Sequence, residues 1–309
     1  MDTLPTRHQS TDPRIAVTLE QLLTIPAALR NQPGAAYLQR RPGEQPSRRR
    51  GPGLSFDQLR DYLPGDDVRA IDWRVTRRTG RPHTRVFHRE SEQQLLLLVE
   101  QSESLYFGSV EKLKSVVAAE YTAQQLFTAL AARQPVAMTL CGRAEPARFA
   151  PARYRAAALP MFSALADFNA ELCQSATPAS GPAHSIIAEL EQLAARQLHG
   201  KDLLVVADWS LLRDLSTALL GYLAQRNQLL ITVVVDPLEW QPPAGLRGEL
   251  LDAAGHVHSV AISRAAAANQ YAENVQLWQC WQQRCSAIGA SLVAIGEQLP
   301  AMLHQGLAS

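Results

Sequence analysis

Residues Leu95–Ser104 read LLLLVEQSES: five apolar residues in a row, then an acid, then two serines flanking a second acid. An apolar run without polar alternates is what a strand buried on both faces requires, and that burial arises in a parallel sheet covered by helices. The strand predicted here, Leu95–Glu100, ends where polarity begins. In an open parallel sheet the loops at the carboxyl ends of strands line the ligand crevice, so Glu100, Ser102 and Ser104 stand where binding or chemistry is expected.

The same rhythm continues outward from this strand. An amphipathic helical pattern over Val110–Arg133 is closed by Pro135, and Val136–Cys141 reads as a second strand, with Ala147–Ala150 as a short edge strand. Ala156–Cys173 is helical apart from the question raised by Pro160, and Ser175–Pro182 is a loop of small residues and prolines. Ser185–Leu198 predicts a helix, Leu203–Ala207 a strand ending at Asp208, Leu211–Arg226 a helix, and Leu229–Val235 a strand ending in Asp236-Pro237. Within Glu249–Ile262, LLDAAGHVHSVAIS reads as a hairpin with Gly255 at its turn. Arg264–Ile288 follows as a long helix, then Ser291–Ile295 as a last strand and Leu299–Leu307 as a final helix. Strands alternating with helices define an α/β fold with a doubly wound, mainly parallel sheet, Rossmann-like in its layering.

Upstream, Ala16–Leu29 has the apolar spacing of a short helix, with Pro26 disturbing its last turn. Arg40–Pro52, with Arg40-Arg41, Arg48-Arg49-Arg50 and several Pro and Gly residues, reads as an exposed basic loop, either solvated or in contact with a phosphate or acidic partner. Gly53–Glu92, GLSFDQLRDYLPGDDVRAIDWRVTRRTGRPHTRVFHRESE, is too dense in acids and arginines to be an ordinary core helix. Pro64-Gly65-Asp66-Asp67 is a strong turn signal, since Pro presets φ, Gly accepts positive φ, and Asp side chains bond nearby N–H groups. This predicts three regions: residues 1–34, an N-terminal helix and tail; residues 35–92, a small basic, β-rich subdomain; residues 93–309, the α/β domain.

Charge is unevenly spread. The 309 residues carry a formal charge of +1, yet 13 of the 30 Lys and Arg residues lie between Arg40 and Arg89, leaving the remainder mildly acidic. Overall charge therefore gives no reason to expect nucleic acid or an anionic membrane. Cys141, Cys173, Cys280 and Cys285 form no CxxC pair and read as buried or free thiols in a reducing compartment. With no signal-peptide pattern and no apolar run long enough to span a bilayer, a cytoplasmic location is expected.

Several groups could carry chemistry. Glu100, Ser102 and Ser104 share the carboxyl edge with the loops bearing His184-Ser185 and Asp208, and hard oxygens converging from three loops would suit Mg²⁺. His256 and His258 with Asp252 read as a solvated hairpin more readily than as a zinc site, and His83 and His88 as surface groups among arginines. The chain has no GxSxG, Walker loop, GxGxxG or HExxH sequence, so acyl transfer, nucleotide hydrolysis and zinc proteolysis have no motif to rest on. In the basic segment, Asp66, Asp67 and Asp72 are expected to pair with Arg60, Arg69, Arg74 or Arg85 in a clasp that depends on burial of Phe56, Tyr62, Ile71 and Trp73. Arg74, Arg77, Arg78 and Arg81 are the outward partner-binding candidates.

An acid-x-Ser-x-Ser sequence after the first strand of such a sheet resembles the metal-ion-dependent adhesion site of von Willebrand factor A domains. More specific is the run Phe56-Asp57-x-Leu59-Arg60-x-Tyr62-x-Pro64-Gly65-Asp66-Asp67-x-Arg69-x-Ile71-Asp72-Trp73, followed by Arg78-Thr79-Gly80 and Val86-Phe87. It resembles the signature of the domain of unknown function 58 family, over roughly residues 35–300. That resemblance implies a von Willebrand A-like domain joined to the signature segment, and a separate MoxR-type AAA+ ATPase as partner. It also implies a metal set of Glu100, Ser102, Ser104 and Asp208 for Mg²⁺, with two departures. Glu100 stands where the adhesion site has Asp, and His184 stands where it has Thr, a softer ligand that suits Mg²⁺ poorly.

The function expected is that of a non-enzymatic adaptor for an AAA+ ATPase, with clients unnamed by the sequence. Two rivals are nucleic-acid binding through Arg40–Arg89, which lacks a recognition helix and stacking aromatics, and a metal-dependent hydrolase using Glu100 and Asp208.

Overall fold

A computed structural model describes residues 12–25, 50–62, 71–88, 93–174, 185–251, 257–300 and 303. The chain divides into two units, one of residues Met1–Gln39 with Gln93–Ser309 and one of Arg40–Glu92.

The larger unit begins with α1 (Leu19–Thr24), where Thr18 and Gln21 form a capping box. It is shorter than the sequence pattern suggests. Ile25 leaves the helical region at ψ 118°, as a residue preceding proline tends to do.

The smaller unit contains β1 (Arg50–Asp61), α2 (Trp73–Thr79) and β2 (His83–His88). β1 and β2 pair antiparallel with two register irregularities. Two backbone bonds connect the start of α2 and the end of β1 to the second strand's approach, Asp72 N–H to the His83 carbonyl (2.8 Å) and Tyr62 N–H to the Pro82 carbonyl (2.8 Å).

The larger unit resumes with β3 (Gln94–Glu100), a 3₁₀ turn at Glu103–Leu105, and α3 (Lys114–Ala131). Then follow β4 (Val136–Cys141), β5 (Ala147–Ala152), α4 (Arg155–Gln174), α5 (Ile186–Ala195) and β6 (Lys201–Asp208). The chain continues through α6 (Leu211–Asp214), α7 (Thr217–Ala224), β7 (Gln228–Val234), α8 (Pro237–Trp240), β8 (Arg247–Leu251), β9 (Val257–Ala261), α9 (Arg264–Ile288) and β10 (Ser291–Ile295).

Six of these strands form one sheet in the order β10-β7-β6-β3-β4-β5, parallel throughout except for the antiparallel edge pair β4-β5. Both faces are covered, which accounts for the uninterrupted apolar run that marked β3. Leu95, Leu97 and Val99 enter a core with α1, α3 and α4, while Leu96 and Leu98 enter a second core with α5, α7 and α9. β6 repeats the division, with Leu204 and Val206 on the first side and Leu203, Val205 and Ala207 on the second. Each such chain contributes about 1.5–3 kcal/mol on full burial, so a single polar substitution on either side of these strands is costly.

One element reading changes, and the question raised by Pro160 is answered. The helix expected over Leu211–Arg226 is two, because Leu215 is extended (ψ 133°) and Ser216 restarts the helix by accepting the Leu219 N–H. Pro160 lies inside α4 without ending it, at the loss of the one intrahelical bond its missing N–H would make. The hairpin β8-β9 forms its own two-stranded sheet; its turn, with Asp252, Gly255 and His256, lies outside the described residues, as does most of the expected Leu299–Leu307 helix. Among the described residues no helix is long and apolar enough to cross a membrane. All four cysteines are free, and burial pushes the Cys141 thiol up to about 12 and the Cys285 thiol up to about 11, so both stay protonated and unreactive.

Candidate functional site

Strand order reverses between β3 and β6. β3 leads through α3 to β4 on one side, and β6 leads through α6 and α7 to β7 on the other, which opens a crevice at their carboxyl ends. Glu100 closes β3 and Asp208 closes β6, so the two acids meet there.

Glu100 is fully engaged. Its Oε1 accepts the Ser102 hydroxyl at 2.6 Å and, more loosely, that of Ser104 at 3.4 Å; its Oε2 accepts the Asp208 backbone N–H at 3.0 Å. The two serine hydroxyls also contact one another at 2.8 Å. Burial pushes the Glu100 carboxyl up, against the pull of the Ser102 and Asp208 N–H bonds, with the Asp208 charge adding to the rise.

Asp208 is engaged as well. Its Oδ1 accepts the Ser210 N–H (2.9 Å) and its Oδ2 the Lys114 ammonium (2.5 Å). Lys114 is the first residue of α3 and only 2% exposed, and its ammonium also reaches both Glu239 oxygens at 2.9 and 2.8 Å. Burial alone would push the ammonium down, but Asp208 and Glu239 together hold it above its ordinary value. Glu239 is placed by α8, whose carbonyls at Glu239 and Trp240 both accept the buried Asn274 side-chain amide of α9 (2.9 Å each).

The loop between β3 and α3 is pinned across the sheet edge. Asp236 accepts the Ser109 N–H (2.7 Å) and hydroxyl (2.5 Å) while capping α8 through the Leu238 N–H. Glu297 accepts the N–H groups of Glu111 and Lys112. Gly142, just beyond β4, sits at φ +131° directly on the Gln101 carbonyl, where any Cβ would overlap it.

Glu100, Ser102, Ser104 and Asp208 are thus brought together, as the sequence suggested, but the arrangement does not fit Mg²⁺. The serine hydroxyls donate to Glu100, both Glu100 oxygens have hydrogen-bond donors, and Asp208 already has a cation. Among the described residues no group of three or more His, Cys, Asp or Glu side chains could hold a metal ion. His184 lies outside the described residues.

In the smaller unit, α2 carries Trp73, Arg74, Arg77 and Arg78, with Arg81 just beyond, and all five are exposed. Residues three and four apart share a helix face, so Trp73 lies beside Arg77, and Arg74 beside Arg77 and Arg78. Trp73 is 65% exposed, which corrects the expectation that it anchors a buried clasp. Asp72, its neighbour, is buried and caps α2, with Oδ1 accepting the N–H groups of Arg74 (3.0 Å) and Val75 (3.2 Å). Gly80 ends the helix at φ 74° and donates its N–H to the Thr76 carbonyl. His83 is half-buried, not a free surface group, with Nδ1 2.7 Å from the Arg81 carbonyl and Nε2 3.4 Å from Asp61. Tyr62 and Ile71 are half-buried; Pro64, Gly65, Asp66, Asp67 and Arg69 lie outside the described residues, and Asp57 and Arg60 are described only as backbone of β1.

A mostly parallel, helix-covered sheet together with this aspartate-capped arginine helix defines the class of protein. The family described as Protein of unknown function DUF58 matches residues 58–278, and the chain belongs to it. Uncharacterized proteins of Mycobacterium bovis and of two strains of Mycobacterium tuberculosis are each 46% identical over 71 residues, 22% of this chain and 22% of their own length. The chain's match thus spans under a quarter of those relatives.

Sequence reasoning missed Lys114 and Glu239. A signal existed for the first, since Lys114 stands four and seven residues before Ala118 and Tyr121, on the buried stripe of its helix. Glu239 gave none, because a four-residue helix after Asp236-Pro237 leaves no periodicity to read.

Proposed function

We propose that this protein is a non-enzymatic interaction adaptor, in which a von Willebrand A-like α/β scaffold accompanies an arginine-rich docking element for an acidic surface on a MoxR-type AAA+ ATPase. The observation that carries this reading is the exposed set Trp73, Arg74, Arg77, Arg78 and Arg81 on and just after one short, firmly capped helix. Tryptophan and arginine are the residue types that most often dominate binding energy at interfaces, and here they are held without being used to fill a core. Charge supports the same reading. Arg40–Glu92 holds 13 basic and 8 acidic residues, while the rest of the chain holds 17 and 21. Arginine forks suit carboxylates, so an acidic protein patch is the complementary partner. ATP hydrolysis belongs to that partner, as the sequence has no phosphate-binding loop.

The test is co-purification with a MoxR-type ATPase and the ATPase rate with and without this protein. The wild type binds and changes the rate; a variant carrying Arg74→Glu, Arg77→Glu and Arg78→Glu does neither. No binding and no rate change at micromolar concentrations overturns the reading. So does steeply salt-dependent binding to DNA of arbitrary sequence, lost in the same variant, which would assign the arginines to phosphate instead.

A further inference from the structure

We infer that the Lys114 ammonium is the built-in cation of the carboxyl edge of the sheet, so that whatever this edge binds is bound without a divalent metal. The inference concerns the larger unit alone and does not rest on the adaptor reading.

Two features make Lys114 expensive where it stands. It is 2% exposed, so its long chain and charge are removed from water. It is the first residue of α3, where the helix dipole disfavours a positive charge. Against these costs stand the contacts to Asp208 at 2.5 Å, from the end of β6, and to Glu239 at 2.8 Å, from α8. The acids need the lysine equally. Asp208 is 3% exposed, so without the ammonium its buried carboxylate at the end of β6 would lose the cation that balances it, next to Glu239 of α8. Lysine therefore does here what a metal would do: it neutralises acids from separate elements, β6 and α8, and fixes their spacing. Its three donors meet Asp208 and both Glu239 oxygens, and a metal entering the same space would have to displace it.

The first arm of the test uses the wild-type chain, titrated with Mn²⁺ and with Mg²⁺ into the millimolar range while thermal unfolding and heat of binding are followed. Neither readout changes saturably if Lys114 fills the role. A saturable change that Asp208→Asn abolishes overturns the inference, whereas one that Asp208→Asn leaves intact reports a site elsewhere and sustains it. The second arm removes the charge. Lys114→Met lowers the folding equilibrium constant on the order of 10²- to 10³-fold, because breaking a buried pair leaves an uncompensated charge. The same change made on an Asp208→Asn background costs well under a tenth of that factor, since Glu239 is partly exposed and can be hydrated. Equal costs on the two backgrounds, or no cost in the wild type, would show that the ammonium is not the balancing cation. Should Lys114→Met fail to fold, Lys114→Arg keeps the charge and restores folding only if charge, not chain shape, is what the site requires.

Discussion

Replacing Asp72 by alanine, asparagine and serine separates two roles for the most informative acid of the signature. An ion-pairing acid owes its effect to its charge, and a capping acid to an oxygen at the right place. The Asp72 Oδ1 accepts two backbone N–H groups, at 3.0 and 3.2 Å, at the start of a helix only seven residues long. Loss of such a cap costs about 1 kcal/mol, and up to about 2 where the freed donors are poorly hydrated. The site is buried, so the upper half of that range applies, or roughly a 13- to 30-fold rise in the local opening constant. Asparagine and serine cap nearly as well as aspartate, so they should cost only a few tenths of a kcal/mol. Hydrogen exchange at the amides of Thr76–Thr79, within α2, reads this local equilibrium directly. The capping argument is refuted if asparagine proves as costly as alanine, or if the alanine effect disappears in concentrated salt, since both outcomes belong to a charge pair.

The larger unit offers further tests. Arg148 pairs with the buried Glu189 at 2.6 Å while itself remaining 42% exposed; allowing for that solvent access, Arg148→Met should cost roughly 1–3 kcal/mol in denaturant unfolding, with part recovered by adding Glu189→Gln. Glu100 has its carboxyl pushed above the ordinary 4.5 by burial, so the protonated form suits the fold. The stability this confers is complete below about pH 4.5 and is lost as pH rises through the raised value. Glu100→Gln should therefore gain on the wild type as pH rises above 4.5, by at most about 1.4 kcal/mol per pH unit, and parallel unfolding profiles would contradict this. Gly142→Ala should destabilise by several kcal/mol, because its Cβ meets Gln101 backbone at a positive φ; a change below about 1 kcal/mol would show that the loop gives way. Ser102→Ala should cost more, about 1.5–3 kcal/mol, than Ser104→Ala, whose hydroxyl is exposed and reaches Glu100 only at 3.4 Å, its closer contact being to Ser102 at 2.8 Å; equal losses with added Mg²⁺ and none without it would restore a metal role to both.

The sheet was legible because both of its cores leave the same mark. A strand such as Leu203–Ala207, apolar at every position, has few alternatives to central parallel placement, and Arg264–Ile288 spans a helix whose ends carry a serine cap and a glycine stop. The split between α6 and α7 was not legible, since Leu215 fits the helical spacing and only Ser216 in a capping role interrupts it. Trp73 misled for a related reason. A tryptophan beside isoleucine reads as core from composition, and nothing local reveals that its helix turns that face to solvent. For the site, grouping Glu100, Ser102, Ser104 and Asp208 needed only the rule that strand ends converge. The partner of Asp208 came from a helix 94 residues earlier in the chain, and pairing across such a distance is set by packing that no local pattern encodes.

The acids at the strand ends have structural uses that do not depend on any ligand. Glu100 receives the Asp208 N–H where β3 and β6 part, Asp208 receives the Ser210 N–H at the start of the next turn, and Asp236 caps α8 while holding Ser109. The turns and helix starts that follow the strands at this edge leave backbone N–H groups without intrahelical partners, and burying them unpaired is costly. Acidic side chains there are favoured for that reason alone, and burying several of them then calls for a cation. Lys114 supplies one from within the chain, so an acid-x-Ser-x-Ser sequence can be kept for the geometry of the edge even where no metal is needed to balance it.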